Sequence, residues 1–273
     1  MSEPAFTPQL AAIFAALVEE ASGIHYGPPE RDLFGSKVAA QAAEAGFESL
    51  LDYYYRLRYD DPEGVETRVL VEALTVHETY FFREIAPLRQ LVEGHLTEIV
   101  RAQGAARVWS AACSTGEEPL TLAMLLEQHG LYDRVEIVAT DISEAAILRA
   151  RTGRHGRRSL REPYPTDLAR KYLDVSPHGI TSQARLREAI RFRTLNLFDE
   201  AAVEQLGRFD VILCRNVLIY FRDQSVTKAV ARLTKSLAPS GILAVGVAES
   251  LLRFGTALAC EERGGSFFYR SAR

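Results

Sequence analysis

The sequence of 273 residues has no uninterrupted apolar stretch near the ~18 to 20 residues that a membrane-spanning helix needs. Membrane insertion is therefore not expected. Its opening, MSEPAFTPQL, has no basic segment followed by an apolar core, so no secretory signal is expected and a cytoplasmic location is the default. Cysteine is scarce: Cys113, Cys214 and Cys260 are far apart and each lies in an apolar context. An odd, unclustered set excludes a disulfide framework and points to reduced, buried thiols. The six histidines show no ligand spacing, so no metal is expected. Positive charge is not in excess, with 32 Lys and Arg against 36 Asp and Glu, a net charge of -4 and a pI of about 5.9. That balance argues against a dedicated nucleic-acid binder. What is present, 47% hydrophobic and 25% charged residues, suffices for one good core and a small second domain.

Organisation changes once along the chain. The first part reads as helical, with Leu10, Ile13, Phe14, Leu17, Val18 and Ala21 recurring at three- and four-residue steps. Pro28 and Pro29 interrupt it, and further helical blocks are expected over 32–45, 47–59 and 65–74. A loop over 75–84 and a helix to about Gln103 follow. From Val108 the pattern alternates strand and helix, the signature of a parallel sheet. Strands are expected at 108–112, 135–140, 190–194, 209–214 and 241–247, closed by an antiparallel pair, 258–263 and 266–270, turning at Gly264 and Gly265. The stretch 172–187 fits the alternation poorly, and its Gly179 points to a small β insertion. The expected fold is thus α/β: a helical N-terminal domain over 1–74, a linker loop and helix over 75–105, and a parallel-sheet domain over 106–273.

The richest segment is VWSAACSTGEEP, 108–119, a short buried strand, a small-residue turn and an acidic helix start. Ser114, Thr115 and Gly116 are expected to supply the cap and the turn. A phosphate-binding loop would keep this helix start open to an anion, usually with Lys or several glycines. Glu117 and Glu118 instead repel phosphate and suit a ligand with hydroxyls and positive charge, such as S-adenosylmethionine. Complementing the helix dipole is the simpler alternative. Asp141, ending the second strand, suits ribose hydroxyls in either an NAD or an S-adenosylmethionine site, and could equally cap the helix that follows. Asn196 follows the third strand, where an amide could read an adenine edge. Arg215 and Asn216 stand at the mouth of the buried strand FDVIL, where packing alone explains neither. In HETYFFRE, 77–84, two phenylalanines precede Arg83 and would aim it at a carboxylate; an ordinary surface pairing is the alternative. RARTGRHGRRSLR, 149–161, carries six arginines, either a solvated face or a docking patch for an acidic surface.

In this order and spacing, HETYFFRE, RVWSAACSTGEEP, ATDIS, NLFD, FDVILCRNVLIYF and GVAES resemble the CheR family of chemotaxis receptor methyltransferases. The resemblance covers nearly the whole chain. It implies a Rossmann-like S-adenosylmethionine-dependent methyltransferase domain with a small β-subdomain, preceded by an all-α domain. It also implies methyl transfer to the γ-carboxylate of glutamates in the cytoplasmic domain of a chemoreceptor, leaving S-adenosylhomocysteine, by a monomer that binds no nucleic acid. By motif position, the implied cofactor contacts are His77, Thr79, Arg83, Glu118, Asp141, Asn196, Leu197, Arg215 and Asn216. Arg83 and Tyr220 are the residues implied nearest the reacting methyl.

The chain departs from the family pattern at several places. His77 stands where the family usually has Asn. SKVAAQAAEA, 36–45, lacks the arginine-rich face that the family offers to acidic receptor helices. APSG, 238–241, replaces the usual Pro-Gly turn. The first two departures motivate a second reading, a CheR-like cofactor-binding protein that acts as a regulatory interaction module. An NAD-dependent dehydrogenase accounts for Asp141 but not for the missing glycine fingerprint at 113–118. A small-molecule methyltransferase leaves HETYFFRE unexplained.

Overall fold

The computed structural model describes residues 6–271. The first five residues of the N-terminal stretch read above for a signal lie outside the described residues. The chain divides into two units, one running to Val76 and including Tyr220–Val226, the other containing His77–Ile219 and the chain from Thr227 onward.

The first unit is built from four helices, α1 (Pro8–Ser22), α2 (Arg31–Glu44), α3 (Leu50–Tyr59) and α4 (Val65–Leu74). The apolar steps read in α1 bring Phe14, Leu17 and Val18 into a core with Phe34, Val38, Tyr53, Leu70 and Leu74. The third helical block begins at Leu50 rather than Phe47, because Ser49 Oγ accepts from the Asp52 amide at 3.3 Å and caps the helix there. Asp61 accepts from the Glu66 and Thr67 amides at the start of α4. Segment 220–226 joins this unit through the Ile24 to Phe221 bridge and through the His25 amide, which donates to the Tyr220 carbonyl at 2.8 Å. Of the two basic residues of α2, Arg31 and Lys37, Lys37 is engaged internally, its Nζ donating to the Ala73 carbonyl at 3.0 Å.

The second unit holds a seven-stranded sheet. Its strands are β1 (Ala106–Ala111), β2 (Val135–Asp141), β6 (Ile190–Thr194), β7 (Phe209–Cys214), β8 (Leu237–Val245), β9 (Leu258–Arg263) and β10 (Ser266–Ser271), in the order β6-β2-β1-β7-β8-β10-β9. The first five are parallel neighbours, and β10 and β9 close the sheet antiparallel. Helices α7 (Glu117–Gln128) and α8 (Glu144–Thr152) follow β1 and β2, and a helix over Asp223–Lys235, whose first residues belong to the first unit, precedes β8. Trp109 sits at the centre of the sheet, fully buried, its Nε1 donating to Thr140 Oγ1 at 2.9 Å. A second sheet of three antiparallel strands is set aside from the first: β3 (Arg154–His155), β4 (Leu173–Ser176) and β5 (Gly179–Ser182), with β5 in the middle. It is wider than the insertion expected at 172–187, because β3 precedes it by some twenty residues and adds a third strand.

Several sequence expectations are corrected. The helix expected to run to Gln103 is three pieces, α5 (Ile85–Gln90), a wide π turn (Leu91–Leu96) and α6 (Thr97–Gln103). The wide turn brings Gly94 against the Arg263 guanidinium, where a Cβ would lie 2.7 Å from Cζ, and lets buried His95 reach Glu261 at 3.1 Å. The first strand ends at Ala111 because Ala112 turns to φ 58°. The fifth starts at Leu237, four residues before Gly241, and APSG is an irregularity within β8 with Ser240 at φ 62°, not a turn before the strand. Cys113 and Cys214 are buried, but Cys260 is exposed because β9 is an edge strand.

Gly116 has φ 93°, and a Cβ there would approach Ala150 Cβ at 2.8 Å. Gly130 also has positive φ, 68°, but open space around it. Gly116→Ala is expected to lower the unfolding free energy by ~2 kcal/mol or more, and Gly130→Ala by about 1. Urea denaturation of the two variants checks this; equal losses would show that the contact with α8 carries no cost.

Candidate active site

Because β6, β2, β1, β7 and β8 run parallel, their carboxyl ends share one edge. The strand order reverses between β1 and β7, which is where open α/β sheets bind ligands. Six non-glycine residues among those described have positive φ, and five of them, Phe82, Glu84, Ala112, Ser114 and Asn216, lie in the loops 77–84, 112–116 and 215–219. Such conformations cost ~1 to 3 kcal/mol each and persist where surrounding contacts over-determine them.

Asp141 closes β2 and is 5% exposed. Its Oδ2 accepts from the Ser114 amide at 2.7 Å and its Oδ1 from the Ser143 amide at 2.9 Å. It does not cap α8: Ser143 does, its Oγ accepting from the Ala146 amide at 2.9 Å. Asp141 therefore faces the loop after β1 with both oxygens oriented. Of Ser114, Thr115 and Gly116, expected to supply the cap and the turn before α7, Gly116 is the N-cap, with no side-chain cap hydrogen bond. Ser114 Oγ is buried and makes no hydrogen bond within the described residues, a polar atom placed for a ligand hydroxyl.

The two acids at the start of α7 separate. Glu117 is 1% exposed and turns inward, accepting from Thr115 Oγ1 at 2.6 Å and lying 3.1 Å from His155 Nδ1. Burial pushes its carboxyl up, but His155 and Thr115 outweigh this and hold it below the usual range. Of the pair, only Glu118 remains for a ligand. Its Oε1 accepts from Ser110 Oγ at 2.7 Å and its Oε2 from Arg215 Nη1 at 2.9 Å.

Arg215 is the hub. Its side chain is 2% exposed. Nη2 donates to the Arg83 carbonyl at 3.0 Å, the Glu84 carbonyl at 3.1 Å and Glu84 Oε2 at 3.1 Å. Glu84 also accepts from Asn216 Nδ2 and from the Val247 amide, each at 3.1 Å. Burial raises the Glu84 carboxyl, while Asn216 and the Arg215 guanidinium more than reverse that and hold it below its ordinary value. Glu249 binds the loops after β7 and β8 together, accepting from the Asn216 and Gly246 amides at 2.7 Å and the Ile219 amide at 3.2 Å. Gly246 must lack a Cβ, which would stand 2.6 Å from Asn216 Nδ2.

The expected site residues divide accordingly. Arg83, Glu118, Arg215 and Asn216 meet in one network, and Asp141 joins the loop after β1. Asn196 follows β6, its Oδ1 accepting from the Phe198 amide at 2.9 Å, with Leu197 buried beside it; the Leu195 amide donates to the Asp141 carbonyl at 2.8 Å. Arg83 folds over its own loop, Nη1 donating to the Glu78 carbonyl at 2.9 Å and Cζ lying 5.6 Å from the Tyr80 ring centroid. His77 is exposed and Thr79 half-buried. Tyr220 lies in the first unit. Sequence reasoning missed Glu84 and Glu249, although both lie in recognised words, Glu84 at the end of HETYFFRE and Glu249 next to last in GVAES.

A parallel sheet with an oriented acid ending β2, an acidic helix start after β1 and no glycine phosphate cradle defines a Rossmann-like methyltransferase domain. Residues 77–263 match the family described as CheR methyltransferase, SAM binding domain. The chain is similar to chemotaxis protein methyltransferase 2 of Vibrio cholerae serotype O1, 35% identical over 241 residues, covering 86% of this chain and 83% of that protein. It is 32% identical over 248 residues to chemotaxis protein methyltransferase 1 of Pseudomonas aeruginosa, with 88% and 89% covered. A probable biofilm formation methyltransferase, WspC of Pseudomonas putida, is 33% identical over 212 residues, with 76% and 49% covered. The chain belongs to the CheR methyltransferase family, and S-adenosylmethionine is its cofactor. Asp141, Glu118 and the buried Ser114 hydroxyl fit such a group, which offers ribose hydroxyls and an ammonium. No helix among the described residues is long and apolar enough to cross a membrane.

Arg215→Ala leaves Glu84 and Glu118 without their common cation and is expected to cost ~3 to 5 kcal/mol near neutral pH. A carboxylate held below its unfolded value stabilises the fold above that value, about 4.3, and loses the effect as pH falls through the folded one. The gap between wild type and variant should therefore shrink in acid. Urea denaturation at pH values from neutral to below about 4 reads it; a constant gap means that Arg215 does not hold Glu84 ionised.

Proposed function

We propose that this methyltransferase acts on the γ-carboxylate of glutamate residues in the cytoplasmic domain of a chemoreceptor, as a cytoplasmic monomer. The observation that carries the reading is the buried Arg215 hub, which draws Glu118 and the loop bearing Arg83 to the switch point. It stands in a chain matched over most of its length by proteins named chemotaxis protein methyltransferase.

When bound, S-adenosylmethionine supplies a methyl carbon made electrophilic by its sulfonium. Asp141 accepts from the ribose hydroxyls, Glu118 faces the amino-acid end, and Asn196 and Leu197 meet the adenine side. His77, Thr79 and Arg83 contact the cofactor from the loop before α5, while Arg215 and Asn216 act from the end of β7, Arg215 chiefly by fixing Glu118. Arg83 would orient the incoming carboxylate, and Tyr220 is the second residue that the family pattern assigns to the reaction. A glutamate of pKa about 4.3 is already ionised at neutral pH, so no general base is required. What remains is alignment, worth ~7 kcal/mol or more for two reactants held in near-attack geometry. The domain plan on this reading is a helical N-terminal domain over 1–74, a linker over 75–105 and the methyltransferase domain over 106–273 with its β insertion. The poverty of basic residues on α2 bears on which receptor is recognised, not on the chemistry.

Calorimetric titration with S-adenosylhomocysteine, S-adenosylmethionine and NAD tests the pocket. The first two are expected to bind in the micromolar range and NAD not at all, with Asp141→Ala losing at least about tenfold. Transfer of labelled methyl to base-labile esters on receptor cytoplasmic fragments tests the reaction. Arg83→Ala is expected to slow it about 100-fold. Binding of NAD in place of the methyl donor, or ester-free receptors with a fully loaded enzyme, overturns the proposal.

A further inference from the structure

Beneath the loop after β1 lies a buried contact between a carboxylate and an imidazole that the proposed chemistry does not use. Glu117 and His155 have side-chain exposures of 1% and 0%, and Glu117 Oε1 lies 3.1 Å from His155 Nδ1. Three separate segments converge on it. The first is the loop itself: Thr115 Oγ1 donates to Glu117 Oε2 at 2.6 Å, so one carboxylate closes over Gly116 from both sides. The second is the loop carrying Arg83 and Glu84. The Glu117 carbonyl accepts from Thr121 Oγ1 at 2.7 Å, and that oxygen accepts from the Phe82 amide at 3.1 Å. The third is the entry to the small antiparallel sheet. His155 forms β3, its ring meets the Phe81 ring edge to face at 4.8 Å, and the Phe81 amide donates to the Ser159 carbonyl at 2.7 Å.

The position of the pair gives it consequences. Glu117 stands between Ser114, whose amide holds Asp141, and Glu118, which holds Arg215. Displacing residue 117 moves both acids assigned to the cofactor. Packing alone would be served by an apolar pair, since buried charges are costly and their replacement by well-packed hydrophobic residues is often neutral or stabilising. A buried carboxylate placed between the Thr115 hydroxyl and the His155 ring selects a single loop geometry instead.

We propose that His155 is a positioning residue for cofactor binding: through Glu117 it holds residues 113–118 in the conformation that sets Ser114 on Asp141 and Glu118 on Arg215. The inference rests on reading that loop as the cofactor loop. His155 touches no substrate; it acts by fixing the acids that do.

The experiment compares wild type with His155→Leu, which removes the polar ring beside Glu117, and His155→Asn, whose amide keeps a polar nitrogen at the place of Nδ1. Thr115→Val is the milder cut at the other side of Glu117. Two readouts are taken on variants shown to be folded by their melting transitions: amide hydrogen exchange over 113–118 without ligand, and S-adenosylhomocysteine affinity. His155→Leu and Thr115→Val should exchange faster over that segment and bind about tenfold more weakly, ~1.4 kcal/mol. His155→Asn should recover wild-type behaviour. If His155→Leu fails to fold, the contrast between Thr115→Val and His155→Asn decides. Unchanged exchange in the folded variants, or a His155→Asn as impaired as His155→Leu, overturns the positioning role. Faster exchange in a protein whose wild type binds no S-adenosylhomocysteine keeps the positioning role and removes the proposed function.

Discussion

The site depends on one guanidinium buried at the end of a strand. Arg215 leaves β7 into a place where its charge has almost no access to water, and a lone cation there would cost several kcal/mol. It persists because two carboxylates and two carbonyls enclose it. That requirement dictates geometry far along the chain. Glu84 must come from the loop before α5, Glu118 from the first turn of α7, and both must arrive at the same point between β1 and β7. The left-handed backbone of Glu84 and Asn216 follows, because only that turn lets Glu84 offer carbonyl and carboxylate to the same arginine while Asn216 reaches back to it.

A second anchor works at the neighbouring strand end. Glu249 collects three amides from the loops after β7 and β8, and so spares those amides the cost of burial without a partner. The hub fixes side chains and Glu249 fixes backbone. Together they tie down the edge of the sheet to which Asp141 and Glu118, the acids proposed for the cofactor, belong. Strained conformations gather there for the same reason: the contacts that enforce them are the contacts that define the site.

Strand positions were legible in the sequence because short apolar runs mark strands covered on both faces, as 137–139 and 211–214 do, while 190–194 alternates Ile190 and Phe192 with arginines as suits the edge strand it is. The parallel plan followed from their alternation with helices. The acids and amides at strand ends were legible too, since polar residues that end an apolar run have no packing explanation. What escaped was long-range. A Glu that ends a loop reads as solvent-exposed until an arginine 131 residues away is seen to need it, as Glu84 shows. Glu117 and Glu118 are neighbours with the same chemistry, and no local pattern tells which one turns inward to His155. The π turn and the irregularity in β8 were hidden because each exists to accommodate a partner from another segment, Arg263 in one case and the β7 register in the other.

The two arginines of the site stand in contrast. Both terminal nitrogens of Arg215 are committed to acceptors and its Nε is buried without a hydrogen-bond partner among the described residues, so it organises the loops around it. Arg83 is held by one carbonyl and lies beside a tyrosine ring, half-buried, with most of its fork uncommitted. For a carboxylate nucleophile that difference is what the chemistry asks for. A carboxylate loses charge as it forms an ester, so an arginine that gripped it tightly in the ground state would weaken its hold in the transition state and slow the step. A loosely tethered guanidinium can turn the carboxylate toward the methyl without claiming its charge. On this reading the buried arginine provides rigidity, and the partly exposed one provides orientation without excess affinity.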